Sequence, residues 1–158
     1  MLTLGIDPGT ATTGYGLIQE MPDGSLQMVE YGIIGTPKTD LAPARLVQLY
    51  DRLKEILARH HPDNAAVEKL FFQKNISTAI AVGQARGVVM LALAQAGLEV
   101  GEYTPNEVKQ SVTGYGSADK RQVQEMVKVL LSLDQIPKPD DAADALAIAI
   151  THQNTRRY

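Results

Sequence analysis

The chain contains no cysteine, which excludes a disulfide framework and a zinc-finger pattern and suits a reducing compartment. It has no uninterrupted apolar run near the roughly 18 residues that a membrane span requires. Its first residues enter a strand pattern with neither a basic flank nor a small-residue cleavage site. A soluble, cytoplasmic protein without a membrane partner is therefore expected. A basic excess is missing too: the formal charge is -3 and the pI about 5.6. Nucleic-acid binders usually carry a basic footprint, so any such role must rest on locally placed cations. Aromatics are sparse, and the only two phenylalanines are adjacent, Phe71-Phe72. Internal repeats, low-complexity tracts and long linkers are likewise absent. The 158 residues suit one domain, residues 1–158, large enough to bury roughly 68–70% of its unfolded surface.

What is present reads as a β-rich first part and an α/β remainder. Leu2 to Asp7 is an apolar strand, Gly14 to Ile18 a second, and Leu26 to Gly35 a third, punctuated by Pro8-Gly9-Thr10 and Pro22-Asp23-Gly24-Ser25. These predict an antiparallel meander. Leu46, Leu49, Leu53, Ile56 and Leu57 recur at helical spacing between Leu41 and His60, and Pro62 ends the run. Ala65 to Glu68 is a short strand, Asn75 to Gly97 a long apolar helix, and Leu98 to Tyr103 a fifth strand. Thr104-Pro105 then caps and opens a helix, followed by helices over Ala118–Leu133 and Asp140–His152. The order βββαβαβααα implies an α/β fold with one five-stranded mixed sheet flanked by helices.

Four acids stand in apolar contexts within that outline. Asp7 ends the first strand and Glu68 the fourth, while Asp141 and Asp144 lie three apart in a helix apolar on nearly every side. An unpaired buried carboxylate is costly, so acids converging from three elements point to a bound cation. If the first and fourth strands are parallel neighbours, both carboxylates emerge at one sheet edge, where ligand sites form in open α/β sheets. All-oxygen donors suit magnesium. Some have a plainer alternative, Asp140 and Asp141 as helix caps and Asp7 as a turn former, but Asp144, in a helix apolar on nearly every side, is harder to dismiss. His60, His61 and His152 sit near predicted helix ends, where a cationic ring complements the dipole.

Several segments together resemble the RuvC Holliday-junction resolvases. They are Gly5-Ile6-Asp7-Pro8-Gly9-Thr10 with Thr13-Gly14-Tyr15-Gly16, Val67-Glu68, Gly83-Gln84-Ala85-Arg86-Gly87, Val108-Lys109-Gln110 to Gly116-Ser117-Ala118-Asp119-Lys120, and Asp141 to Ala149. The resemblance spans nearly the whole chain in order. It implies a ribonuclease H-like fold, a homodimer, magnesium-dependent paired nicking of four-way junction DNA, and the branch-migration proteins RuvA and RuvB as partners. It also implies that Asp7, Glu68, Asp141 and Asp144 are the catalytic and metal-holding acids. The chain departs from some relatives in stopping at Tyr158, soon after the last helix.

Two Mg²⁺ ions, with Mn²⁺ as an alternative, would suit such a site. Local cations that could meet DNA are Lys74, Lys109, Lys120 and Arg121, with Lys69 and Lys128 nearby in sequence. Lys120 follows the glycine-rich turn Gly114-Tyr115-Gly116-Ser117, whose amides could face phosphate. The resemblance implies that Lys109 and Lys120 lie near the active site and that Phe71 stacks on junction bases, whereas Phe72 reads as core. Ala79, Gly83 and Gly87 form a small-residue stripe that admits another backbone, either the sheet or a second subunit. The Gly5-to-Thr10 segment also resembles the first phosphate loop of actin-like and sugar-kinase ATPases, although 158 residues leave no room for their second domain. A junction-binding module without catalysis is the remaining alternative, and retention of all four acids speaks against it.

Overall fold

A computed structural model describes residues 1–69 and 75–157. Its strands are β1 (Leu2–Asp7), β2 (Thr12–Glu20), β3 (Leu26–Gly35), β4 (Asn64–Glu68) and β5 (Val100–Tyr103). Its helices are α1 (Ala42–His60), α2 (Ile76–Gln95), α3 (Pro105–Thr113), α4 (Lys120–Leu130) and α5 (Asp140–Arg156). The sheet order is β3-β2-β1-β4-β5, with β1, β2 and β3 antiparallel and β4 and β5 parallel to β1 and to each other. This is the expected five-stranded mixed sheet in the ribonuclease H-like order.

The period-2 alternation of the strands divides the interior into two layers. Leu4 and Ile6 of β1 join Ala65 and Val67 of β4 on the face covered by α1 and α2, where Leu49, Leu53, Val89 and Leu93 complete the core. Ile18 and Ala66 face the other way, against α5, α3 and α4, with Leu146, Ile148, Ile150, Val112 and Val127. Helix α5 is buried almost continuously from Ala142 to Gln153, as a helix apolar on all sides must be.

The sheet admits α5 because it is glycine where the helix crosses it. A Cβ on Gly5 would lie 2.1 Å from the Ala145 carbonyl oxygen and 2.9 Å from the Ala149 Cβ, and one on Gly14 only 2.0 Å from the Asp141 carbonyl oxygen. Glycine within a strand marks such a close backbone approach. At the far end, the Gln153 amide donates to the Thr3 hydroxyl at 2.7 Å, and that hydroxyl donates to Asn64 Oδ1 at 2.7 Å. The chain's two ends are thus stitched together inside the core.

Several boundaries differ from the sequence expectation. Strand β2 runs from Thr12 to Glu20, longer than Gly14–Ile18, because the whole length of β3 pairs with it. Helix α4 starts at Lys120 because Asp119 caps it in a reciprocal box with Gln122. Helix α5 continues past His152 to Arg156, through polar residues that are themselves buried or bonded to the preceding turn, as Thr151 and Thr155 are to the carbonyls of Ala147 and Thr151. Helix α2 is by length and composition apolar enough to cross a membrane, with mean hydropathy 1.6 over an 18-residue stretch that is 22% buried. Ser77, Thr78, Gln84 and Arg86 interrupt it and hide that length from a search for unbroken runs.

Gly14→Ala should destabilise the fold by about 1–3 kcal/mol or more, the cost of overpacking a site that cannot yield. Urea denaturation checks this, and an unchanged midpoint would show that α5 does not sit on the strand as described.

Candidate active site

Strand alternation aims the first two acids. With Leu4 and Ile6 committed to the α1/α2 face, Asp7 turns to the α5 face, and Glu68 does the same one step beyond Val67. Parallel pairing of Ile6 with Val67 sets the two carboxyls side by side at the C-terminal edge of the sheet. Helix α5 supplies the others. Gly14 is the antiparallel partner of Asp7, and the Asp141 backbone rests directly on it, so the first turns of α5 arrive over that rung. Carboxylate oxygens of Asp7, Asp141 and Asp144 all come within 4.8 Å of one another. Glu68 stands beside this triangle, against Asp7. Neither Asp140 nor Asp141 caps the helix, whose N-cap is Pro139 and lacks a side-chain bond; the capping alternative is excluded.

The cost of this convergence appears in the proton affinities. Burial, and then the neighbouring charges of Glu68 and Asp144, push the Asp7 carboxyl from 3.8 up to about 9. Asp144 rises to about 6, chiefly by desolvation, with Lys120 opposing and Glu68 and Asp141 adding to the rise. Glu68 is also raised by burial, against the pull of its contact with Asp7 and of Lys120. Three converging carboxyls that hold protons so strongly form a hard-oxygen site with an unmet need for positive charge. That donor set fits a divalent cation.

Lys120 meets part of that need. As the first residue of α4, it places Nζ 3.2 Å from Asp140 Oδ2 and 3.7 Å from Asp144 Oδ2. Desolvation works against its charge, but Asp144, Asp140 and Asp141 together raise its pKa. Lys120, Lys109, Glu68 and Asp144 share the rim of a cleft of about 290 Å³ with an apolar wall of Pro105, Val108, Val123, Ala147 and Ile148. The structure thus gathers Asp7, Glu68, Asp141, Asp144, Lys109 and Lys120 at one edge. It does not bring Arg121 there, because that side chain is turned outward and engaged by Glu125 at 3.1 Å. Phe71, Phe72 and Lys74 lie outside the described residues.

The histidines follow two patterns. His60 ends α1 as expected, and its ring also meets Glu30 of β3 at 3.0 Å beside Arg59; His61 is the left-handed C-cap. His152 corrects the expectation. It lies inside α5, 3% exposed, with Nδ1 2.8 Å from the Tyr103 hydroxyl and packed into the space left by Gly101. Desolvation and then Arg156 lower its pKa, so it is a neutral core group and not a cation on the helix dipole.

Two arginines escape a reading by sequence. Arg86, the only charged residue in α2, bonds Glu102 and directs Nε to the Glu68 carbonyl at 3.4 Å, bracing the end of β4. Arg45 donates from Nη2 to the Thr10 carbonyl at 2.9 Å and from Nε to the Thr36 hydroxyl at 3.0 Å, holding the turn that follows Asp7. A lone charge in an apolar helix is a sequence signal for Arg86. Nothing local marks Arg45, whose partners are 35 and 9 residues away.

The sequence profile of a family described as crossover junction endodeoxyribonuclease RuvC matches residues 3–152. A protein of that name from Chloroflexus aurantiacus is 59% identical over 155 residues, covering 98% of this chain and 94% of its own length. Thermus thermophilus RuvC has a TM-score of 0.92 at 36% identity, over 99% of this chain and 96% of that one. A structure of T. thermophilus RuvC in complex with a Holliday junction substrate has a TM-score of 0.91 at 34% identity with the same coverage.

The raised carboxyls dictate how stability varies with pH. A carboxyl whose pKa is higher in the fold than in the unfolded chain contributes stability fully present below the unfolded value, near 3.8, and lost as pH rises through the folded value. Without metal, the melting temperature should fall through about pH 6 as Asp144 ionises and on toward about pH 9 as Asp7 does. A divalent cation competes with those protons, so the rise in melting temperature with MgCl₂ should grow over the same window. Asp7→Asn should flatten the upper part of the fall. Thermal scans from pH 5 to 9 in EDTA and in MgCl₂ check this; parallel curves for both conditions would deny the cluster a metal.

Proposed function

Because the chain belongs to the RuvC family of crossover junction endodeoxyribonucleases, we propose that its acid cluster resolves four-way DNA junctions by paired, magnesium-dependent nicks. The observation that carries this reading is the convergence of Asp7, Asp141 and Asp144 within 4.8 Å, beside Glu68, on one sheet edge. Resolution of Holliday junctions places the protein in DNA recombination and repair, as a nuclease.

Asp7, Asp141 and Asp144 would hold one Mg²⁺, and Asp7 with Glu68 would turn toward a second; Mn²⁺ satisfies the same oxygen donors. When bound, such ions activate the attacking water and stabilise the leaving oxygen of an in-line displacement. The protein's own groups do the rest. Lys109 and Lys120 at the cleft rim offset the charge of the approaching phosphodiester. The apolar wall limits water around it, which strengthens every charge interaction inside. Lys120 is held by Asp140 and Asp144, from where its ammonium would be within reach of a phosphate entering the cleft. By family resemblance, Phe71 would stack on an unpaired junction base, and Lys74, a nearby local charge, would meet a flanking phosphate.

Paired nicks need two sites related by two-fold symmetry. The free face of α2 supports a second copy of the chain as the partner. Ile76, Ile80 and Leu91 stand 74%, 58% and 52% exposed, and a Cβ on Gly87 would meet nothing within 4 Å. The small-residue stripe therefore looks away from its own sheet at Gly87. Meanwhile Ala85, Val89, Ala92 and Leu93 of the same helix are buried against the sheet, which favours a subunit face over a membrane span. Residues 1–158 then act as one nuclease domain, in the cytoplasm, with RuvA and RuvB delivering the junction.

Asp7→Asn, Glu68→Gln, Asp141→Asn and Asp144→Asn should each slow junction nicking by more than about 100-fold, beyond the usual effect of losing a supporting group, while leaving junction binding intact. Synthetic four-way junctions with linear duplex as control, assayed for nicking and for gel retention, check this. Wild-type rates in any amide variant would remove that residue from the site.

Gly87→Leu should leave the subunit folded by circular dichroism but monomeric by ultracentrifugation, and its nicks on a junction should no longer come in pairs. A Gly87→Leu protein that remains dimeric would move the subunit face elsewhere.

A further inference from the structure

We propose that Arg45 and the turn after Asp7 form a second seat for the DNA backbone, a phosphate-binding notch on the far side of that turn from Lys109 and Lys120; this rests on the junction-nuclease reading. The notch, about 60 Å³, opens at the same sheet edge as the acids but on the α1/α2 side; Thr10, Thr13, Thr36, Arg45 and Gln84 supply its polar groups over an otherwise apolar lining of alanine, leucine and Ile34.

Three observations support an anion there. Both hydrogen bonds of the half-buried Arg45 go to neutral oxygens; among the described residues it has no carboxylate partner, a lack it shares only with the exposed Arg52, whereas Arg59, Arg86, Arg121, Arg156 and Arg157 have acidic partners. Those two bonds leave the remaining guanidinium donors in a fixed fork, the geometry that suits a phosphate. Secondly, Arg45 lies in the first turn of α1, where a cation opposes the helix dipole. That turn holds no acid and α1 lacks a side-chain cap, so two sources of positive potential meet uncompensated at one point. Thirdly, the turn that Arg45 holds is continuous with Asp7. The Thr36 amide bonds the Ala11 carbonyl at 3.2 Å, so Arg45 ties the β1–β2 turn to the β3–α1 connection. A backbone phosphate in the notch would be registered against the reacting one through a short, hydrogen-bonded stretch of chain.

The test is junction binding by the full chain in EDTA across a salt series, for wild type, Arg45→Ala, Arg45→Lys and Arg52→Ala, with melting temperatures alongside. Arg52 is an exposed residue of the same helix, so its removal matches the charge change without touching the notch. Arg45→Ala should weaken binding about tenfold and lower the salt slope by about 1. Arg45→Lys should restore the slope, and Arg52→Ala should change neither. An Arg45→Ala slope equal to wild type overturns the notch, as does an equal loss in Arg52→Ala. Inorganic phosphate that raises the melting temperature of wild type but not of Arg45→Ala, with the junction slope unchanged, would assign the notch to a small anion and overturn the DNA assignment. Failure of the nuclease reading is separately visible: wild-type protein would bind without nicking in MgCl₂.

Discussion

The contact between the alanine face of α5 and the glycines of β1 and β2 is the constraint on which the rest of this structure depends. Four carboxyls repel one another, and nothing in their own chemistry would hold them together. They are held because Asp7 and Glu68 leave a sheet whose alternation is fixed by the core, and Asp141 and Asp144 leave a helix that rests on backbone. The resulting strain is electrostatic, visible in an Asp7 carboxyl that gives up its proton only near pH 9, and it is offset by the near-complete burial of α5. A site built this way has its geometry set by main-chain contact, with little left to side-chain rotamers.

Charge is distributed on the same logic. The chain is acidic overall, yet two cations stand close to the acids: Lys120 on Asp140 and Asp144, and Lys109 beside it at the cleft. Net charge governs long-range approach, while contact with phosphate depends on what lies within a Debye length of about 8–10 Å. A net negative charge therefore does not by itself exclude a phosphate ligand at a site where cations stand this close.

Much of this was legible in the sequence because it rests on local periodicity. The strands ending at Asp7 and Glu68 show their apolar runs, Thr104-Pro105 marks the start of α3, and Asp144 stands out in an apolar helix. What was illegible depends on distant partners. His152 looked like a helix-end cation because its burial beneath β5 comes from Gly101, far away in the chain. Arg45 looked like any surface arginine, since Thr10 and Thr36 reach it only through the fold. The glycine stripe of α2 left sheet and subunit equally open until the free space at Gly87 pointed it outward.

The core bond between Gln153 and Thr3 joins residues 150 positions apart, and the acid cluster spans nearly the same interval. Time therefore enters the design. β1 to β4 can pair and α1 and α2 can cover one face before α5 docks, but the other face stays open until it does. Contacts of such sequence separation form late and slowly. Before α5 docks, the sheet edge carries Asp7 and Glu68 without Asp141 and Asp144, so the acid cluster does not yet exist. The cluster and the finished fold are therefore one event.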